Sequence, residues 1–183
     1  MGRTHANITK TWGSKAIIAA IALIGAGLNL HVPTAHADDP AFVSVAAGLY
    51  DWNRQKDEGT EVRIEYRHDE KYLGFLKPFV AAAATDSSNS FFIGAGVLAD
   101  IYFGKRVVLT PSFAPHYYNG GNEKLDLDYA LEFRSQLELA YRFDDRSRLG
   151  VAVSHYSNAS LGATNPGTES AMVYYSIPVD FFD

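Results

Sequence analysis

The chain is 183 residues long, carries a formal net charge of −5 at pH 7 and contains no cysteine. Without cysteine there is no disulfide framework, no thiolate metal site and no thiol nucleophile. The acidic balance argues against nucleic acid as a partner, because phosphate binding needs a positive surface, and a chain of this length makes one domain.

At the N-terminus Arg3, Lys10 and Lys15 come first, an apolar run over residues 16–30 follows, and Ala35-His36-Ala37 closes the segment. Basic, apolar and small-residue stretches in that order form a secretory signal peptide. The apolar run is shorter than the ~20 residues a spanning helix requires. Cleavage is expected after Ala37, so residues 1–37 are the signal peptide and residues 38–183 the mature domain. The signal segment holds three of the sixteen Lys and Arg and none of the twenty-one Asp and Glu, leaving the mature domain at −8.

The mature domain reads as strands almost throughout. The first covers residues 43–52. In the second, residues 61–67, Val62, Ile64 and Tyr66 alternate with Glu61, Arg63, Glu65 and Arg67. The third covers residues 72–85, and the fourth, residues 91–103, sets Phe91, Ile93, Val97, Ile101 and Phe103 on one face. The fifth covers residues 106–118. The sixth, residues 125–143, is the longest: Leu125, Leu127, Tyr129, Leu131, Phe133, Leu137, Leu139, Tyr141 and Phe143 alternate with Asp126, Asp128, Glu132, Arg134, Gln136, Glu138 and Arg142. That alternation outlasts a typical soluble strand of ~5–6 residues. The seventh covers residues 148–157 and the eighth residues 171–181. Pro78, Pro111, Pro115 and Pro178 fall inside these strands, so bulges or weakened pairing are expected there.

The connections form two classes. Those after the second, fourth and sixth strands are tight, at His68-Asp69-Glu70, Gly104-Lys105 and residues 144–147. Those after the odd-numbered strands tend to be longer and rich in Asn, Gly, Ser and Asp, as at residues 53–59, 119–124 and 158–168. Short turns at one end, long loops at the other and an even strand number predict an all-β fold, an eight-stranded antiparallel transmembrane β-barrel. Apolar rows would meet lipid, and Glu61, Arg63, Glu65, Glu132, Arg134, Glu138 and Arg142 would fill a plugged polar lumen. Glu132 falls in the same inward row as Arg134, a candidate ion partner. A soluble sandwich or lipocalin-like barrel would use the same alternation with the faces inverted.

One stretch, "SHYSNASLGATNPGTES", carries candidate chemistry. His155 and Ser157 continue the outward row of Leu149, Val151 and Val153, while Glu169 is in phase with Ala171, Val173 and Tyr175. Opposed residues on adjacent strands lie within ~4.5–5.5 Å at Cβ. A Ser–His–Glu row on the outer wall is therefore sterically feasible. Polar groups against lipid are costly unless bonded to one another, and these three types in a row suit acyl transfer: His155 as base, Ser157 as nucleophile, Glu169 as orienter. The plainer reading is that all three end their strands at the water interface. His68, in a turn, and His116, phased inward, have no such neighbours, and no metal-ligand cluster or phosphate-cradling loop appears.

"LEFRSQLELAYRF", "SHYSNASLG" and "NPGTES" together resemble the PagL-type lipid A 3-O-deacylases, small outer-membrane barrel esterases. The resemblance is close over the C-terminal third and looser over the mature chain. It implies an eight-stranded barrel, a triad of Ser157, His155 and Glu169, and removal of the ester-linked acyl chain at the 3-position of lipid A. It places Asn158 (through its backbone N–H) and Asn165 at the oxyanion, and implies no metal or cofactor. The implied partners are lipid A or lipopolysaccharide in the outer leaflet and the surrounding outer-membrane lipids; a homodimer stays open. A non-enzymatic barrel and an enzyme acting on another acyl lipid, such as a phospholipase, are the alternatives. The chain ends Phe182-Asp183, where such barrels commonly finish on an aromatic.

Overall fold

The computed structural model describes residues 39–87 and 89–180. The expected signal peptide and the Phe182-Asp183 terminus lie outside the described residues. Nine strand segments occur: β1 (Ala41–Tyr50), β2 (Gly59–Arg67), β3 (Leu76–Thr85), β4 (Phe91–Ala99), β5 (Ile101–Phe103), β6 (Val107–Asn119), β7 (Leu131–Arg142), β8 (Arg148–Ser157) and β9 (Thr168–Val179). Strands that follow one another in the chain pair antiparallel, except β4 and β5, which do not pair with each other, and β1 pairs with β9 to close the ring. β4 and β5 both pair with β6 in one unbroken register, so together they are a single stave and the barrel has eight.

Proline explains the break in that stave. β6 carries Pro111 and Pro115, and its ladder with β7 runs without interruption from Val107 to Tyr117. On its other side, pairing lapses at Ala95 and Gly96 and again at Ala99 and Asp100, opposite the two prolines. Successive residues of a strand direct their N–H groups to alternate neighbours. Residues four apart therefore lack the N–H on the same side, and the loss falls wholly on the fourth stave. The expected weakening occurs here without a bulge. Pro78 and Pro178 leave their ladders in continuous register, so nothing is disturbed there.

The faces decide between membrane barrel and soluble barrel. Val151, Ile64 and Val173 are 59%, 52% and 53% exposed, whereas Glu61, Glu138 and Arg134 are 0% exposed. Apolar side chains point out and charges point in, which excludes the inverted, soluble arrangement. Inside, Arg67 pairs with Glu65 at 2.9 Å and with Glu138 at 2.6 Å, and Arg134 pairs with Glu65 at 2.8 Å. At the short-turn end Arg148 bridges Asp39 at 2.6 Å and Asp100 at 2.9 Å. Burial of so many charges is tolerable only because most are paired.

Two expectations are corrected. The third strand begins at Leu76, because residues 68–75 form a longer turn with a bridge between Tyr72 and Leu76. The sixth predicted strand begins at Leu131, and its first residues are loop. Leu125 and Leu127 are buried there with Tyr50, Phe92, Tyr118 and Tyr156, closing the long-loop end of the lumen. Burying each leucine stabilises by about 1.5–3 kcal/mol. Asp128, at φ 69°, turns the chain between that plug and β7.

Candidate active site

β8 and β9 bring the candidate residues together at the long-loop end of the wall. His155 and Glu169 are direct partners in the β8–β9 register. The imidazole Nδ1 lies 3.0 Å from Glu169 Oε1. His155 is 44% exposed at the side chain and Glu169 17%, so both sit on the outer surface and not in the lumen. The inward neighbours of each, Ser154 and Tyr156 beside His155 and Thr168 and Ser170 beside Glu169, are buried, as strand alternation requires.

Ser157 closes β8 two residues beyond His155, on the same face. Its Oγ accepts hydrogen bonds from the backbone N–H of Ala159 at 3.1 Å and from Asn165 Nδ2 at 3.2 Å. It is not hydrogen-bonded to His155. With Nδ1 committed to Glu169, the free ring nitrogen is Nε2, the atom a neighbouring hydroxyl would use.

The two asparagines have distinct positions. Asn165 Oδ1 accepts from the backbone N–H of Asn158 at 3.2 Å, which sets the amide so that Nδ2 faces Ser157. The Asn158 N–H is therefore engaged with Asn165, and the backbone N–H directed at the nucleophile is that of Ala159. The Asn158 side chain is fully buried: its Nδ2 donates to Leu127 O at 3.0 Å and Thr164 O at 2.8 Å, and its Oδ1 accepts from Ser160 N at 2.9 Å. That side chain ties the β6–β7 loop to the β8–β9 loop and holds the turn after Ser157. Ala159 and Ser160 take φ 53° and 65°, which bends the chain back over the end of β8.

Arg54 is the residue that the sequence reading missed. It comes from the β1–β2 loop, and its Nε lies 3.1 Å from both oxygens of Glu169. An arginine in a polar loop gives no periodic signal; only the closure of β1 against β9 brings it here. His68 and His116 stand apart from this cluster, the first in the β2–β3 turn and the second buried in the lumen. Among the described residues no group of His, Asp and Glu is placed to hold a metal ion.

A hydroxyl, an imidazole and a carboxylate in one outward row can carry acyl transfer to and from the hydroxyl. The bonded exterior below them, with Val151, Val153, Ala171 and Val173, is apolar. An acyl lipid could therefore reach the row sideways from the bilayer.

Comparison with known proteins places this chain among barrel enzymes of the outer membrane. The family model described as lipid A 3-O-deacylase (PagL) matches residues 41–178. The lipid A deacylase PagL of Pseudomonas aeruginosa is 26% identical over 183 aligned positions, which span 87% of this chain and 96% of the relative. The crystal structure of the outer membrane enzyme PagL superposes with a TM-score of 0.60 at 19% identity, covering 75% of this chain and 99% of that one. Neisserial surface protein A superposes at 0.54 with 10% identity, covering 76% and 96%. A de novo designed transmembrane β-barrel gives 0.51 at 13% identity, with the same coverage of 76% and 96%. All three structural likenesses concern the fold alone.

Proposed function

Since the chain belongs to the lipid A 3-O-deacylase (PagL) family, we propose that it is an outer-membrane serine esterase that hydrolyses the 3-O-linked acyl chain of lipid A. The observation that carries this reading is the direct register pairing of His155 with Glu169 beside Ser157 on the outer wall. A lumenal row would require the lipid to enter a barrel filled with side chains. An outward row meets it in the leaflet.

In the proposed cycle His155 Nε2 takes the proton of Ser157 Oγ as that oxygen attacks the ester carbonyl. Glu169 accepts a hydrogen bond from Nδ1–H, which sets the tautomer and stabilises the imidazolium. His155 then passes the proton to the departing 3-oxygen of the sugar, leaving an acyl-serine. Water, deprotonated by the same imidazole, attacks the acyl carbonyl; the bond to Ser157 Oγ breaks, the imidazolium returns its proton to Oγ and the fatty acid leaves. Asn165 Nδ2 and the N–H of Ala159 converge on Ser157 Oγ, so they are suited to the charge that develops on the adjacent carbonyl oxygen. The Asn158 N–H serves this reading by orienting Asn165. Each oxyanion donor is worth about 3–4 kcal/mol in the transition state.

Mass spectrometry of lipid A from cells expressing the wild type and Ser157→Ala tests the proposal. Loss of one 3-hydroxy fatty acid should occur with the wild type and be absent with Ser157→Ala and His155→Ala. Glu169→Ala should retain a trace, because the carboxylate orients without bonding to substrate. Deacylation by Ser157→Ala at the wild-type rate would remove the nucleophile, and phospholipid hydrolysis with intact lipid A would replace the substrate.

A further inference from the structure

Arg54 holds two parts of the site at once. Its Nε lies 3.1 Å from both Glu169 oxygens, and its Nη1 donates to the carbonyl of Pro166. Oε1 of Glu169 is the same oxygen that faces His155 Nδ1. Pro166 follows Asn165, the residue whose amide faces Ser157 Oγ. One guanidinium therefore touches the carboxylate behind the base and the turn that carries the amide beside the nucleophile.

The loop that presents Arg54 is built for this placement. Asp51 is fully buried and takes φ 52°. Its Oδ2 accepts from the backbone N–H groups of Lys56 at 2.6 Å and Asp57 at 2.8 Å. Its Oδ1 accepts from the hydroxyl of Thr168 at 3.1 Å, and Thr168 immediately precedes Glu169. These bonds close the loop on itself and fasten it to the start of β9, with Arg54 on the closed arc. The Arg54 side chain is 37% exposed, and ion pairs in such positions contribute little to stability. A role in holding the barrel together does not account for contacts directed at the reacting row.

Glu169 lies on the outer wall at the start of β9, and its carboxylate can turn about its last bond unless held on both oxygens. We propose that Arg54 is a positioning residue of the esterase: it fixes the Glu169 carboxylate against His155 and the Asn165 turn against Ser157. This rests on the triad reading above. Arg54 acts through Glu169 and through the Pro166 carbonyl and touches neither substrate nor the attacking oxygen. Losing it should therefore lower the rate of the chemical step and leave binding unchanged.

The test measures kcat and KM of the detergent-solubilised barrel on purified lipid A in mixed micelles. The variants are Arg54→Ala, Arg54→Gln, Glu169→Ala, the double variant Arg54→Ala/Glu169→Ala, and Ser157→Ala. Arg54→Ala and Arg54→Gln should each lower kcat by about 10- to 100-fold, the usual cost of a small misplacement of a reacting group. KM should stay within about 2-fold, since only transition-state positioning is lost. In the Glu169→Ala background, Arg54→Ala should cost less than it does alone, because the part carried by Glu169 is already lost and only the Pro166 contact remains to lose. Heat-modifiable gel mobility shows that each variant is folded. Wild-type kcat in both Arg54 variants, a change confined to KM, or the same loss with and without Glu169 would each overturn the proposal. Inactive Ser157→Ala beside unaffected Arg54 variants removes only the role of Arg54, whereas active Ser157→Ala removes the triad itself.

Discussion

A Cβ placed on Gly167 would stand 3.1 Å from Cε1 of His155 and 3.1 Å from the carbonyl oxygen of Tyr156, at a backbone φ of 59°. Glycine at this position lets the β8–β9 loop pass directly over the imidazole. Any side chain there would crowd the ring and the Tyr156 carbonyl, which must give by a few tenths of an ångström, and would strain a left-handed backbone conformation that costs about 1 kcal/mol or more outside glycine. Gly167→Ala is expected to lower deacylase kcat by at least about 10-fold, a misplacement effect, with barrel mobility on gels unchanged. Wild-type kcat in this variant would mean that the ring has room to spare.

The lumenal carboxylates should divide by partner. Glu65 faces Arg67 at 2.9 Å and Arg134 at 2.8 Å. Glu132 is fully buried with neither oxygen hydrogen-bonded, so the sequence-based pairing of Glu132 with Arg134 gives way to Glu65. Removing one partner of a buried pair costs about 3–5 kcal/mol, while replacing an unpartnered buried carboxyl with an apolar group relieves its desolvation cost. Glu65→Ala should lower thermal stability in detergent strongly, and Glu132→Leu should leave it unchanged or raise it. Leu131→Ala on the wall is the outward control. A large loss from Glu132→Leu would assign that carboxylate a partner.

Asp39, just before β1, should make the short-turn end sensitive to acid. Burial alone would raise its carboxyl, but the Tyr102 hydroxyl and the Arg148 and Arg142 guanidinium groups more than offset this, holding it below its ordinary value of 3.8. A carboxylate with a lowered folded-state value contributes stability above the unfolded value and loses it as pH falls through the folded one. The wild type should thus lose stability below about pH 4, where the unfolded chain takes up the proton first. Asp39→Asn should be less stable at neutral pH and flatter across that range. Parallel melting curves against pH for the two proteins would refute the assignment.

How far the sequence reached follows from what a strand encodes locally. Successive side chains of a strand point to opposite faces whatever lies beside them. Alternation alone therefore sufficed for the outward row of Val151, Val153, His155 and Ser157 and for the inward Glu61, Arg63 and Glu65, while the strand number and the sorting of short turns from long loops pointed to the closed eight-stave barrel. It failed at Leu125 and Leu127, where the same alternation continues through a loop that Asp128 turns into the lumen. Pattern by itself does not mark the residue at which hydrogen bonding to a neighbour stops.

Only the tertiary structure chose the partners. Which carboxylate meets Arg134 depends on the stagger between strands, and the alternation within β7 is equally compatible with Glu132 and Glu65. Arg54 reaches Glu169 because β1 closes on β9, setting Tyr50 opposite Ser170. The Asn158 N–H turns to Asn165, because the loop after β8 folds back on itself. These choices join residues far apart in the chain or buried in irregular loops, where geometry follows from closure of the ring. The face of each strand residue was written in the chain's own period, and the neighbour across each gap was decided by the barrel.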